Sequence, residues 1–317
     1  MDTSSLKIIS LVAPMYNEQE VLSIFFDAIE QCFSNIDYDY EVVCVNDGSS
    51  DNTYDLLKRR AERNARIKIV NLSKNYGKEI ALTAGLDHAS GNAAIPIDCD
   101  LQDPIEVIPT LIEKWEEGYD VVLARRIDRT SDSFFKRFTS NIFYKLIDKI
   151  SDIHIPSNVG DFRLIDRKVV CALSQFREKS RFMKGLFASL GFKETTIDYI
   201  RAPRAAGNTK WNYWKLYKLA LEGIISFTSL PLKIWSYVGA TVALGAFIYG
   251  FYLIFKTLIL GVDTPGYASL MVVLLFMSGL ILLCLGVVGE YLARIFIEIK
   301  GRPMYIIMDK IGFGADE

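Results

Sequence analysis

Short apolar runs separated by longer amphipathic stretches fill the chain from Leu6 to Ala124. Leu6–Pro14, Glu41–Asn46, Ile67–Leu72, Ala93–Ile97 and Asp120–Ala124 have the length and near-continuous apolar character of strands buried on both faces. Between them, about Glu18–Phe33, Thr53–Asn64, the stretch after Gly77 to about Ala89, and about Pro104–Glu117 read as helices. The first of these sets Val21, Leu22, Phe25, Phe26 and Ile29 on one face. Pro104 stands at the favoured first helical position with Glu106 in the first turn. Alternation at this spacing predicts an α/β domain, a mostly parallel sheet with helices on both faces. Further on, Phe134–Ile150 reads as a helix with one apolar face. Asn158–Arg163 reads as a turn entering a short strand, and Thr195–Ala202 as the last strand.

The pattern changes after Leu230. Ile234–Phe255 and Ala268–Gly289 contain no charged residue, and each is long enough to cross about 30 Å of hydrocarbon as a helix. The tight connection Gly261–Tyr267, with Pro265, makes the pair a hairpin. Lys210, Lys215, Lys218 and Lys233 precede it, Arg294, Lys300, Arg302 and Lys310 follow it, and only Lys256 and Asp263 lie near the connection. That bias predicts both termini on the cytoplasmic side of an inner or plasma membrane. Tyr213–Ser229, aromatic and apolar with Lys215 and Lys218, suits a helix in the bilayer interface or a core helix with two exposed lysines. The expected organisation is a cytosolic domain over 1–211, an interfacial segment over 212–232, a transmembrane hairpin over 233–295 (spans about 234–258 and 268–292), and a cytosolic tail over 296–317. Gly239/Ala243, Ala246/Gly250 and Gly286 with Gly289 would allow close helix contacts, within the hairpin or in a homo-oligomer. Glu290 is placed to pair with Arg294 one turn on.

Composition adds limits. The 317 residues are 50% hydrophobic with a formal net charge of −2, which gives no reason to expect nucleic acid. The mean hydropathy of +0.20 is high for a soluble enzyme, and the excess lies after Leu230. Cys32, Cys44, Cys99, Cys171 and Cys284 show no CxxC spacing and are expected to be free thiols, most of them buried. Near the N-terminus the apolar run Ile8–Val12 is too short for a signal peptide, so the first domain is expected to stay in the cytosol.

Chemistry concentrates where strands end. The run Ile95–Pro104 (IPIDCDLQDP) passes from a strand into the oxygen ligands Asp98, Asp100, Gln102 and Asp103. Carboxylates two apart at a strand end can converge on one hard cation that takes its remaining positions from phosphate oxygens; a solvated acidic loop is the plainer alternative. Asn17 and Glu18, Asp47, and Arg125 end other strands. Asp47 in DGSSD either accepts hydrogen bonds from a ribose or base, or caps a turn. Arg125, Arg126, Arg129, Lys136 and Arg137 are either a solvated face or a phosphate site. Asp161 either salt-bridges locally or faces the reacting atoms. RAPRAAGNTKW, with Arg204 and Lys210, can fold over a diphosphate. Neither GxGxxG nor GxxxxGK[ST] occurs, so dinucleotide and P-loop chemistry are not indicated.

A cytosolic α/β domain fixed to a membrane and bearing a strand-end Asp-x-Asp fits transfer from a nucleotide donor to a lipid acceptor. APMYNE (Ala13–Glu18), VNDGSSD (Val45–Asp51), DCDLQDP (Asp98–Pro104), VVLARR (Val121–Arg126) and GDFRLID (Gly160–Asp166) together resemble the family 2 glycosyltransferases of GT-A, Rossmann-like fold. More narrowly, they resemble the branch that glycosylates dolichyl and polyprenyl phosphates. Gly289–Ile307 is similar to the tail of the bacterial two-helix polyprenyl-phosphate glucosyltransferases. The resemblance implies that Pro14, Tyr16, Asn17, Glu18, Asp47 and Asp98 line the nucleotide-sugar pocket. Asp100 and Gln102 would bind Mg²⁺ or Mn²⁺, and Asp100, Asp103 and Asp161 are the catalytic candidates, Asp161 as a base. Arg125 and Arg137 would serve the acceptor phosphate, and Arg204 and Lys210 the donor diphosphate. The implied reaction is inverting transfer of one hexose, glucose from UDP-glucose, to a polyprenyl phosphate. A GDP-mannose-dependent transferase, a processive polysaccharide synthase and a non-catalytic membrane-tethered nucleotide-sugar sensor are the competing classes; the QxxRW motif of processive synthases is absent.

Overall fold

The computed structural model describes residues 7–127, 159–179, 181, 183–200, 230–260 and 266–314. Two compact units result: the sheet, its helices and the segment from Pro303 onward form one, and two long helices form the other.

The expected strands open the first unit: β1 (Ile8–Met15), β2 (Asp39–Asn46), β3 (Ile67–Leu72), β4 (Ala93–Pro96) and β5 (Val121–Arg126). The helices between them are α1 (Leu22–Phe33), α2 (Thr53–Ala61), α3 (Lys78–His88) and α4 (Ile108–Glu116). After β5 come β6 (Val159–Asp166), α5 (Arg167–Leu173), α6 (Met183–Ser189) and β7 (Glu194–Tyr199), and, beyond the second unit, β8 (Ile307–Ile311). They make an eight-stranded sheet in the order β7-β5-β6-β4-β1-β2-β3-β8. The pairs β1–β2, β1–β4, β2–β3 and β5–β7 are parallel, while β6 and β8 run antiparallel to their neighbours.

Three details differ from the sequence reading, each for a local reason. Residues before Leu22 form a turn rather than the start of α1, because Asn17 takes a left-handed conformation (φ 55°) and the Glu18 N–H donates to Thr53 Oγ1 at 2.9 Å. Pro104 is extended (ψ 123°) and precedes a 3-10 turn over Ile105–Val107; the proline in the first turn of α4 is Pro109. Val159–Asp161, expected as a turn, is already strand, because it pairs beside β5 with Val159 opposite Arg125.

The core lies between the sheet and its helices, with Phe25, Ile29, Leu57, Ile69, Ile95 and Phe162 essentially without solvent contact. On α3, Ala81, Leu82, Ala84, Gly85 and Leu86 are all buried. Gly85 lets the helix close on the sheet: a Cβ there would run into Val12 Cγ1 and come within 2.9 Å of Val45 Cγ2. Gly85→Ala should therefore lower stability by about 1–3 kcal/mol through overpacking, read as a lower urea midpoint; an unchanged midpoint would mean that both valines yield freely.

The edge of β3 is covered by β8. Ser73 N–H donates to Ile306 O at 2.9 Å, Asn71 Nδ2 donates to Asp309 at 2.7 Å, and the Tyr54 hydroxyl also donates to Asp309. Tyr305 donates to Asp87 at 2.7 Å, and Phe313 meets His88 edge-on. Of the cysteines, Cys44 and Cys99 are buried as expected, Cys32 and Cys284 are half-buried, and Cys171 is exposed on α5; all are free.

The second unit holds α7 (Leu230–Leu260) and α8 (Tyr267–Ile299). Within α8, Phe276–Ile299 is long and apolar enough to cross a membrane, with a mean hydropathy of 2.1; Tyr237–Tyr252 is a shorter apolar stretch of α7. Large apolar side chains on both helices, among them Phe247, Leu258, Leu283 and Phe296, are exposed. Glu290 and Arg294 pair at 3.3 Å, as their spacing predicts.

Candidate active site

Parallel pairing brings the carboxyl ends of β1, β2 and β4 to one edge of the sheet, with Met15 opposite Asn46 and Val12 opposite Pro96. Because β6 runs the other way, its first residues reach that same edge, and so do the last residues of β5 and β7. Topology alone thus gathers Tyr16–Glu18, Asp47, Asp98–Gln102, Arg125 and Asp161.

The loops at this edge are tied to one another. Asn17 N–H donates to Ser49 Oγ at 3.0 Å, and Ser50 N–H donates back to Asn17 Oδ1 at 2.8 Å. Both oxygens of buried Asp47 are used: Tyr76 N–H donates to one at 2.7 Å and Gly77 N–H to the other at 2.9 Å. Burial raises the Asp47 pKa, and those two amides hold it back only in part. Gly48 takes φ +64°, and a Cβ on it would lie 2.5 Å from the Asn75 backbone, so only glycine lets the β2–α2 and β3–α3 loops meet. Pro14 is half-buried within β1, and Tyr16 is exposed just beyond it.

The turn after β4 is closed by Gln102 N–H donating to Asp100 Oδ1 at 3.2 Å. Between them Leu101 has φ 55°, and Leu101 and Asn17 are the only non-glycine residues in the left-handed region among those described. A leucine held there stores strain at the turn that carries both proposed metal ligands. Asp103 points elsewhere: it is buried and accepts the Tyr199 hydroxyl at 2.5 Å, beside Phe162.

Lys78, at the first turn of α3, was not singled out from sequence. Its ammonium lies 2.8 Å from Asp98 and 2.8 Å from Asp161. Burial pulls the lysine pKa down, but the Asp161 and Asp98 charges outweigh it and raise it well above the ordinary range. For Asp161, burial would raise the pKa; Lys78, then Lys184, and further Arg163 overcome it and hold the carboxyl well below the carboxylate range. Glu79, next along, is pushed up to about 7 by burial and by the Asp161 charge. The fork of Arg125 is filled by Asp198, its neighbour across β7, at 2.7 and 3.0 Å. Arg137, Arg204 and Lys210, with residues 212–229 of the expected interfacial segment, lie outside the described residues, and its last three residues, 230–232, begin α7. No group of three or more His, Cys, Asp or Glu suited to a metal occurs among the described residues.

An α/β sheet with acidic loops gathered at the carboxyl ends of its central parallel strands fits the GT-A fold of the glycosyltransferases, and the family match defines the class. Residues 10–173 match Glycosyl transferase family 2, and residues 230–295 match the GtrB C-terminal hairpin; the chain belongs to glycosyl transferase family 2. It is 53% identical over 304 residues to an uncharacterized glycosyltransferase of Synechocystis, covering 96% of each chain. It is 50% identical over 299 residues to the prophage bactoprenol glucosyl transferase homolog of Escherichia coli, covering 94% of this chain and 98% of that one. To the bactoprenol glucosyl transferase of Shigella phage SfII it is 49% identical over 299 residues, covering 94% and 97%.

Proposed function

We propose that the protein transfers one hexose, glucose from UDP-glucose, to a polyprenyl phosphate at the cytosolic face of a membrane, with inversion, releasing UDP. The observation that carries this reading is the identity of about one half to bactoprenol glucosyl transferases across sheet domain and hairpin alike. Two spans formed by α7 and α8, with both chain ends cytoplasmic, would keep the catalytic edge on the side where nucleotide sugars are found.

The loops after β1 and β2 would take the nucleotide, with Asp47 stiffening its pocket through the amides of Tyr76 and Gly77. Asp100 and Gln102 offer two hard oxygen donors on one turn, too few for an all-protein cage and suited to an ion shared with the donor diphosphate. Bound there, Mg²⁺ or Mn²⁺ supplies positive charge against the departing UDP. The bond from the sugar C1 to the UDP oxygen breaks, its electron pair leaving with UDP, as an acceptor phosphate oxygen attacks C1 from the opposite face. Arg204 and Lys210 are assigned to the diphosphate, Arg137 to the acceptor phosphate. Arg125, held by Asp198, would reach that phosphate only by exchanging partners.

A lipid phosphate is already largely ionised near neutral pH and needs little help from a base. Asp161, kept ionised by Lys78, is poorly suited to take a proton, so it is assigned an orienting role in place of the expected base. Asp103, committed to Tyr199, is assigned to supporting the turn rather than to the reacting atoms.

The test is direct. The detergent-extracted full chain is incubated with a panel of UDP- and GDP-sugars, polyprenyl phosphate and Mg²⁺ or Mn²⁺, and the lipid product is identified. Glucosyl lipid from UDP-glucose is expected; no lipid-linked hexose from any donor would overturn the reading.

A further inference from the structure

Three elements of different chain origin meet at a single ammonium. Lys78 comes from the start of α3, Asp98 from the loop after β4, and Asp161 from the start of β6. The Lys78 Nζ lies within 2.8 Å of both carboxylates. All three side chains keep partial exposure, at 41%, 31% and 21%, so they line the edge rather than sit beneath it.

The surroundings of Asp161 sharpen the point. Lys184 of α6 and Arg163 of β6 add positive charge to it, and Glu79 of α3 adds negative charge. Arg163 is buried, gives one N–H to Gly160 O at 2.7 Å and stacks on Phe187, so its position is fixed from below. Lys78 is the cation in direct salt-bridge contact with Asp161 on the exposed side. The reaction proposed above, on which this inference rests, brings a diphosphate and a lipid phosphate to an edge that already carries Asp47, Asp98, Asp100 and Asp161. Without Lys78, an anionic acceptor would meet Asp98 stripped of this salt bridge and Asp161 offset by Lys184 and Arg163 alone.

We infer that Lys78 is a positioning residue for the acceptor: by bridging Asp98 and Asp161 it fixes Asp161 and neutralises the pair, so that a phosphate-bearing lipid can approach the sugar carbon. A lysine that merely braced the fold would, when removed, lower stability and the amount of active enzyme without a selective change in acceptor KM.

The experiment measures initial rates of the full chain against polyprenyl phosphate at saturating UDP-glucose. Lys78→Met should raise the acceptor KM by about tenfold or more, while Lys78→Arg, which keeps the charge, stays within about threefold of wild type. Adding Asp161→Asn to Lys78→Met should bring the acceptor KM back by about threefold or more, since one of the two charges that Lys78 offset is gone. If Lys78→Met does not fold, Lys78→Gln, which keeps a hydrogen-bond donor without the charge, takes its place with the same expected KM. An acceptor KM within about threefold of wild type in the uncharged variant, or a double variant no better than the single, overturns the inference alone. A wild-type chain that transfers no sugar overturns the proposed function, and the inference with it.

Discussion

Asp100→Ala should lower sugar transfer by about a hundredfold or more while leaving the fold in place. The side chain is half-exposed, and the hydrogen bond it accepts within its own turn, from Gln102 N–H at 3.2 Å, is worth about 1–3 kcal/mol, a loss the fold should survive. Activity is different, because an ion shared between this turn and a diphosphate loses its only carboxylate on the Asp100–Gln102 turn. A chelator should abolish wild-type transfer and added Mg²⁺ or Mn²⁺ should restore it; in Asp100→Ala the same additions should restore little. The readout is labelled hexose moved from UDP-glucose into lipid extract. Turnover equal to wild type would remove Asp100 from the metal role.

Glu41→Ala should cost about 3–5 kcal/mol of stability, the largest loss expected from a single change in the sheet domain. Glu41 is 5% exposed and opposite Ser10 across β1. Its carboxylate accepts from Ser10 Oγ at 2.5 Å, Ser90 N–H at 2.6 Å, Ser90 Oγ at 2.8 Å and Gly91 N–H at 3.2 Å, and pairs with Lys68 at 2.7 Å. Removing it strands several donors and a half-buried ammonium at once. Burial alone would raise the Glu41 pKa, but the bonds from Lys68, Ser10 and Ser90 prevail and lower it below the ordinary 4.5. A depressed folded value means that the stabilisation is complete above the unfolded carboxyl's pKa and is lost as pH falls through the folded one. Wild type should thus lose stability on acidification below about pH 4.5 more steeply than Glu41→Gln. Urea unfolding followed by tryptophan fluorescence measures both effects. Because Glu41 sits at the amino-terminal edge of the parallel strands, the folded fraction should keep its turnover.

The parallel centre of the sheet was legible because β1–β4 bury both faces and so read as unbroken apolar runs, and the polar residues that end them fall on one edge by topology. Asp47, Asp98 and Asp100 could be placed at one edge for that reason. The rest depended on partners remote in sequence. Val159–Asp161 has the composition of a turn and becomes strand only because the end of β5 pairs with it, Val159 opposite Arg125. Lys78 carries no local mark: one lysine after Asn75-Tyr76-Gly77 reads as a surface charge until two carboxylates arrive from other strands. Pro104 misled because a proline favoured at a helix start also favours the extended backbone it adopts here. The five residues of β8 alternate half-buried and exposed, a pattern too short to stand out beside the long helices before it.

That last strand has a consequence for how the protein comes to exist. The sheet that carries the chemistry takes its final member from chain synthesised after α8, so translation must pass through both long helices before the β3 edge can be closed. A nascent chain stopped within the hairpin would expose the bare backbone of β3, a surface prone to pairing with other chains. Completion of the sheet therefore waits on synthesis of both long helices.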